Sequence, residues 1–185
     1  DRHDNDLARF LTYLVAAIAV PSPDACPTFS PVLQTVPLPP ADYLVELLVN
    51  DLAQLPGRLV IVVDDYQEIR SLAIQQTVEG LLNHLPSNVH LVLISRLDPA
   101  LPLARLRVQK QVTEIRAAEL QFAVAEAGDF FCKALGSELP PDLVQALDER
   151  AEGWAAGLRL AALSLQEGAD PATFAEAFHG TQRHI

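Results

Sequence analysis

The chain has 185 residues, half of them hydrophobic and only 6% aromatic, so Leu, Val, Ala and Ile can fill a sizeable core. That composition excludes a disordered chain. A formal net charge of −11, with only two lysines (Lys110 and Lys133), repels phosphate backbones and argues against direct binding of nucleic acid.

No apolar run approaches the roughly 20 residues that span a bilayer, so no membrane partner is expected. The polar opening, Asp1 to Asp6, does not read as a signal peptide. Cys26 and Cys132 stand far apart in no metal or redox spacing and read as buried free thiols, which suits a reducing, cytoplasmic setting. The chain opens without Met almost directly into a helix, and it is expected to be a piece of something longer.

Residues 7–20 place Leu7, Phe10, Leu11, Leu14 and Ile18 at three- and four-residue spacing, the mark of an amphipathic helix, with Asp6 as its N-cap. Residues 21–40 hold seven of the fourteen prolines and predict an extended loop. A second helix is expected over 41–55. Leu59–Asp65 (LVIVVDD) opens with five consecutive aliphatic residues, which predicts a parallel strand buried on both faces. A helix over 71–83 and a second buried strand over 90–95 complete a strand–helix–strand unit, right-handed by default. A short helix near 103–107 and a weaker third strand, Val112–Ile115, follow. Beyond Ala118 the pattern is helical only: 123–135, 141–151, 154–167 and 171–179, with Pro141 as a start signal and Gly136 and Gly168 as stops. The boundary falls at 118–122, between an α/β part (1–118) and a small helical part (119–185).

Two features carry candidate chemistry. Asp64 and Asp65 end the first buried strand, and ligands of open α/β sheets bind beyond the carboxyl ends of the strands. One carboxylate there can hold Mg²⁺ and the other can orient an attacking water; the competing reading has both merely capping the turn that follows. Ser95 and Arg96 end the second strand on the same edge. A planar guanidinium there can meet a terminal phosphate, or simply pair with Asp98 or with the acidic pair. Ser95 has no Gly-x-Ser-x-Gly elbow to make it a nucleophile. None of the eight glycines starts a Gly-x-x-x-x-Gly-Lys-Ser/Thr loop, so the usual phosphate cradle is not in this sequence. The five histidines form no metal spacing. Trp154, in phase with Leu158, Ala161 and Leu165, reads as core.

The succession LVIVVDDYQEI, LLNHLP, HLVLISRLDPALPLARLR, VTEIRAAELQF and EGWAAGLRLAALSL resembles the MalT-like, LuxR-type transcriptional regulators, signalling ATPases of the STAND class. The resemblance runs from about Asp4 to Gln166. It implies a partial P-loop NTPase parallel sheet flanked by helices, followed by a small all-helical subdomain. It also implies that Asp64 is the Walker B ligand of Mg²⁺, that Asp65 is the catalytic or water-orienting acid, and that Arg96 senses the γ-phosphate. Gly157 and Arg159 match the lid segment that touches the nucleotide, although this chain has Gly157-Leu158-Arg159 where relatives often carry Gly-x-Pro. The lid's usual opening Phe-Thr-x-x-Glu is Phe122-Ala123-Val124-Ala125-Glu126 here, and Ala123 has no side-chain oxygen to cap a helix.

The resemblance further implies ATP or ADP with Mg²⁺ as cofactors of an intact parent, with none held by this chain alone. The first two strands and the phosphate loop would lie upstream, and a DNA-binding helix-turn-helix far downstream. Because the first strand of such folds sits between the fourth and fifth, the third strand here is expected to lose its neighbour. That leaves an incomplete sheet and an exposed edge that favours self-association. Two other readings stand beside this one: a non-catalytic α/β interaction module with a structural acidic pair, and a Mg²⁺-dependent hydrolase that works without a phosphate loop.

Overall fold

The structure, a computed structural model, describes residues 5–169. The helix expected over 171–179, together with His3, His179 and His184, lies outside the described residues. The chain divides into two compact units, Asp1–Val112 and Thr113–Ile185.

In the first unit, helix α1 (Leu7–Ala19) begins where expected, with the Asp6 carboxylate accepting the Arg9 N–H at 2.9 Å. The proline-rich stretch is not wholly extended. It contains a short helix, α2 (Phe29–Val32), which turns Phe29 fully into the core. The anchor is a polar residue: Asp51, itself buried on α3 (Ala41–Ala53), accepts the Thr28 and Phe29 N–H groups at 3.1 and 2.9 Å and the Thr28 hydroxyl. Strand β1 (Leu59–Val63), a 3-10 turn (Tyr66–Glu68), helix α4 (Leu72–His84) and strand β2 (Val89–Leu93) follow, and then α5 (Leu103–Val108). The two strands pair in parallel, Leu59 opposite Val89 through Val63 opposite Leu93. Asn88 ties the start of β2 to α3: its amide donates to the Leu52 and Leu55 carbonyls, while its own carbonyl accepts the Leu59 N–H at 2.8 Å.

Two expectations are corrected here. Val112–Ile115 pairs with no strand among the described residues, because an extended segment without a neighbouring ladder has nowhere to place its backbone donors and acceptors; Ile115 is 67% exposed. The sheet is also not buried on both faces. Leu59, Ile61 and Val63, with Leu91 and Leu93, join the core formed with α1, α3 and α4. Val60, Val62 and Val92 on the opposite face are 53%, 57% and 42% exposed. Among the described residues of this unit, α1, α3 and α4 cover one side, so a run of aliphatic residues ends up half wet.

The second unit is helical: α6 (Ala117–Leu120), α7 (Val124–Leu135), α8 (Pro141–Ala151) and α9 (Ala155–Gln166). Pro141 opens α8, and Gly136 and Gly168 stop α7 and α9 with φ of 73° and 94°, a left-handed conformation that glycine adopts without steric cost. At α7 the Glu126 side chain reaches back to accept the Ala123 N–H at 2.9 Å; Ala123 returns nothing, so only half of a capping box exists. Leu147, Leu158, Phe131, Ala127 and Ala161 form its core. Trp154 is not inside α9 but caps it, half-buried, with its indole N–H lacking a partner. Cys26 is buried as expected, but Cys132 is only half-buried. Among the described residues no helix is long and apolar enough to cross a membrane.

Candidate functional site

The site sits where the two strands end. The ladder continues one step past the regular strands: the Ile94 N–H donates to the Val63 carbonyl at 2.9 Å, and the Tyr66 N–H donates to the Ile94 carbonyl at 3.0 Å. Asp64 and Asp65 lie between these two bonds, at the carboxyl end of β1, and Ser95 and Arg96 follow at the carboxyl end of β2. Because the strands are parallel, both pairs occupy one rim, and Asp64, Asp65 and Arg96 are all exposed there.

Local geometry explains the turn. Asp65 adopts φ 51° and ψ 39°, left-handed for a residue with a Cβ, a region Asp and Asn enter more readily than most. Three contacts hold it: its N–H donates to Asp64 Oδ1 at 2.8 Å, its carbonyl accepts the Glu68 N–H at 2.9 Å, and its Oδ1 accepts the Gln67 Nε2 at 2.8 Å. Gln67 Oε1 in turn accepts the Arg96 N–H at 3.1 Å. Tyr66 points inward, 2% exposed, and burial pushes its hydroxyl up to about 12. The loop beyond is held by Asn5, whose Oδ1 accepts the Arg70 and Ser71 N–H groups at 2.6 and 2.9 Å and whose Nδ2 donates to the Glu68 carbonyl. The Ser95 hydroxyl donates to the Leu97 carbonyl at 2.6 Å.

Two adjacent carboxylates suit the protein's share of a Mg²⁺ site, because that ion takes one or two carboxylates and fills its remaining positions with water and phosphate oxygens. Among the described residues no group of three or more His, Cys, Asp and Glu converges to hold a metal by itself. Gly157 and Arg159 lie in the other unit. Gly157 is buried, and a Cβ placed on it would stand 2.9 Å from the Ala151 Cβ, which gives this glycine a packing role between α8 and α9. Arg159 is exposed on α9. Gln67 and Asn5 carry no signal in the sequence pattern, since each acts on a partner distant in the chain. Only the position of Gln67, two residues after an Asp able to enter the left-handed region, hints at its contact.

No family model matches the chain. It is 35% identical, over 167 residues, to the HTH-type transcriptional regulator MalT of Yersinia enterocolitica serotype O:8 / biotype 1B, a span covering 90% of this chain and 18% of that protein. The MalT proteins of Yersinia pestis (strain Pestoides F) and Yersinia pseudotuberculosis serotype O:1b match with the same identity and the same coverage. Over that span the chain resembles MalT. It spans about a fifth of the length of these relatives, and the MalT-like stretch includes both strand ends and most of the second unit.

Proposed function

We propose that this MalT-like chain supplies the acidic strand and the arginine strand of a nucleotide-switch ATPase core of the P-loop class, within a signal-responsive transcriptional regulator. One observation carries the reading: Asp64, Asp65 and Arg96 stand exposed on a single rim at the carboxyl ends of two parallel, paired strands. Asp64 would hold Mg²⁺ of bound ATP, Asp65 would orient the attacking water, and Arg96 would meet the terminal phosphate, with the second unit as the helical lid. Of the two lid residues, Arg159 is the one whose side chain is open to a ligand. Bound nucleotide would bias two arrangements of the regulator, one of which self-associates. DNA binding, in keeping with the name of the relatives, would fall to a helix-turn-helix outside this sequence.

Calorimetry with Mg-ATP tests the reading on this chain and on the full-length regulator. The chain alone should give little or no heat, and the full-length protein should bind. Asp64→Asn should weaken Mg-ATP binding, and Asp65→Asn should stop turnover while sparing binding. A full-length protein that ignores ATP, or that is indifferent to both substitutions, would leave the acidic pair as a structural cap.

A further inference from the structure

The geometry points to Gln67 as a positioning residue that locks the Asp65 carboxylate to the backbone of Arg96; this inference rests on the ATPase reading above. The carboxamide has two faces and both are used. Nε2 donates to Asp65 Oδ1 at 2.8 Å and Oε1 accepts the Arg96 N–H at 3.1 Å. Its orientation follows from its partners, since a carboxylate only accepts and a backbone N–H only donates. The reversed amide would face a like partner on both sides.

The lock joins points that are otherwise held separately. Asp65 follows β1 and Arg96 follows β2. The last ladder bond between these segments, from Tyr66 N–H to the Ile94 carbonyl, stops two residues short of Arg96. Past that point the Gln67 side chain bridges the two strand ends. It also fixes which way the Asp65 carboxylate faces, at a residue whose backbone is already left-handed. A shift of the β2 end that carries Arg96 is therefore transmitted to Asp65 through one side chain. If Arg96 meets the terminal phosphate, its loss on hydrolysis is reported to the acid that orients the water.

Two substitutions separate the halves of the lock. Gln67→Ala removes both bonds. Gln67→Glu keeps an oxygen for the Arg96 N–H, loses the donor to Asp65 and sets a second negative charge beside it. Amide hydrogen exchange on this chain reads the first half. In Gln67→Ala the Arg96 amide should exchange about fivefold faster or more, the worth of roughly one hydrogen bond. The Tyr66 and Ile94 amides should keep their protection, which shows that the strand pair is intact. Gln67→Glu should keep Arg96 protected. Turnover in the full-length regulator reads the second half: both variants should lower kcat by about tenfold or more, with Mg-ATP affinity within about twofold of the parent.

Unchanged Arg96 exchange in Gln67→Ala overturns the lock, whatever the enzyme does. A change in affinity with kcat untouched overturns the positioning of Asp65. Full activity in Asp65→Asn would instead sink the ATPase reading, and the catalytic half of this inference with it, while the exchange result would still decide whether Gln67 joins the two strand ends.

Discussion

Asp51 on α3 accepts the Phe29 N–H at 2.9 Å, so a buried carboxylate holds the one helical turn in the proline-rich stretch. The same group accepts from the backbone and hydroxyl of Thr28. Asp51→Ala leaves the buried Phe29 N–H without its acceptor and loses both bonds from the exposed Thr28, at a cost of about 2–3 kcal/mol for lost bonds to a charged group. Asp51→Asn, which keeps one acceptor oxygen, should cost less than half as much. Urea denaturation of the three proteins gives the order; equal stability of all three would show that the turn is held by Phe29 burial alone.

Alkaline pH should destabilise the first unit. Burial, and secondarily the charge of Asp51, push the Cys26 thiol from 9.0 to about 11, and burial pushes Tyr66 from 10.0 to about 12. Both are acids that stay protonated in the fold after they ionise in the unfolded chain. The stability tied to them is complete below pH 9 and falls as pH rises through the window from 9 to 12. Urea midpoints at pH 8 and pH 10.5 should differ, and Cys26→Ala should flatten the lower half of that slope. A midpoint that does not move between those values would mean both groups ionise freely in the fold.

Much of this architecture was legible from the residues. The strand runs read at 59–63 and 90–95 (the second observed as Val89–Leu93), the Asp6 cap and the Gly136 and Gly168 stops each act locally, so their signal lies within a few positions of their effect. The rim shared by Asp64 and Arg96 also followed, because parallel pairing alone brings two carboxyl ends together. Features that depend on distant partners were not legible. Val60 and Val62 look like core yet face outward, because helices cover one side of the pair. Asn5 and Asp51, and Gln67 in its bond to the Arg96 N–H, act on residues that the fold, and not the sequence order, brings near.

Gly157→Ala should loosen the second unit. The added methyl would meet the Ala151 Cβ at 2.9 Å and its Cα at 3.2 Å, closer than packed carbons allow. Overpacking of this kind costs about 1–3 kcal/mol, against about 1 kcal/mol gained from replacing glycine within a helix. A net loss of stability is expected, and Ala151→Gly in the same chain should restore part of it. Thermal melts decide; a more stable Gly157→Ala protein would mean that α8 and α9 can separate freely and that this glycine is there for another reason.

Asp148 on α8 is buried, and its Oδ1 has no hydrogen-bond partner. Desolvation, then the neighbouring charge of Glu149, raises its carboxyl above the usual 3.8. A raised acid favours the fold at low pH, and that contribution is lost as pH rises through its folded value. Asp148→Asn removes the ionisation, so it should stabilise the second unit at pH 7 and lose that advantage toward pH 3.5. Denaturation curves at both pH values test the sign, and a variant less stable than the parent at pH 7 would show that the charge has a partner in solution.

The outer face of the β1–β2 pair presents Val60, Val62, Val92 and Ile94 at 42–57% exposure. Apolar side chains already in water contribute little to the fold, so Val60→Lys with Val62→Glu should change stability by no more than about 0.5 kcal/mol per site. The same pair should reduce binding of an apolar dye and, if this face drives association of the chain, lower its sedimentation-average mass. The charges alternate in sign, so net charge is unchanged at −11 and general repulsion cannot account for such an effect. Loss of cooperative unfolding in the double variant would instead place these valines in a buried interface, one that the fold needs in order to form.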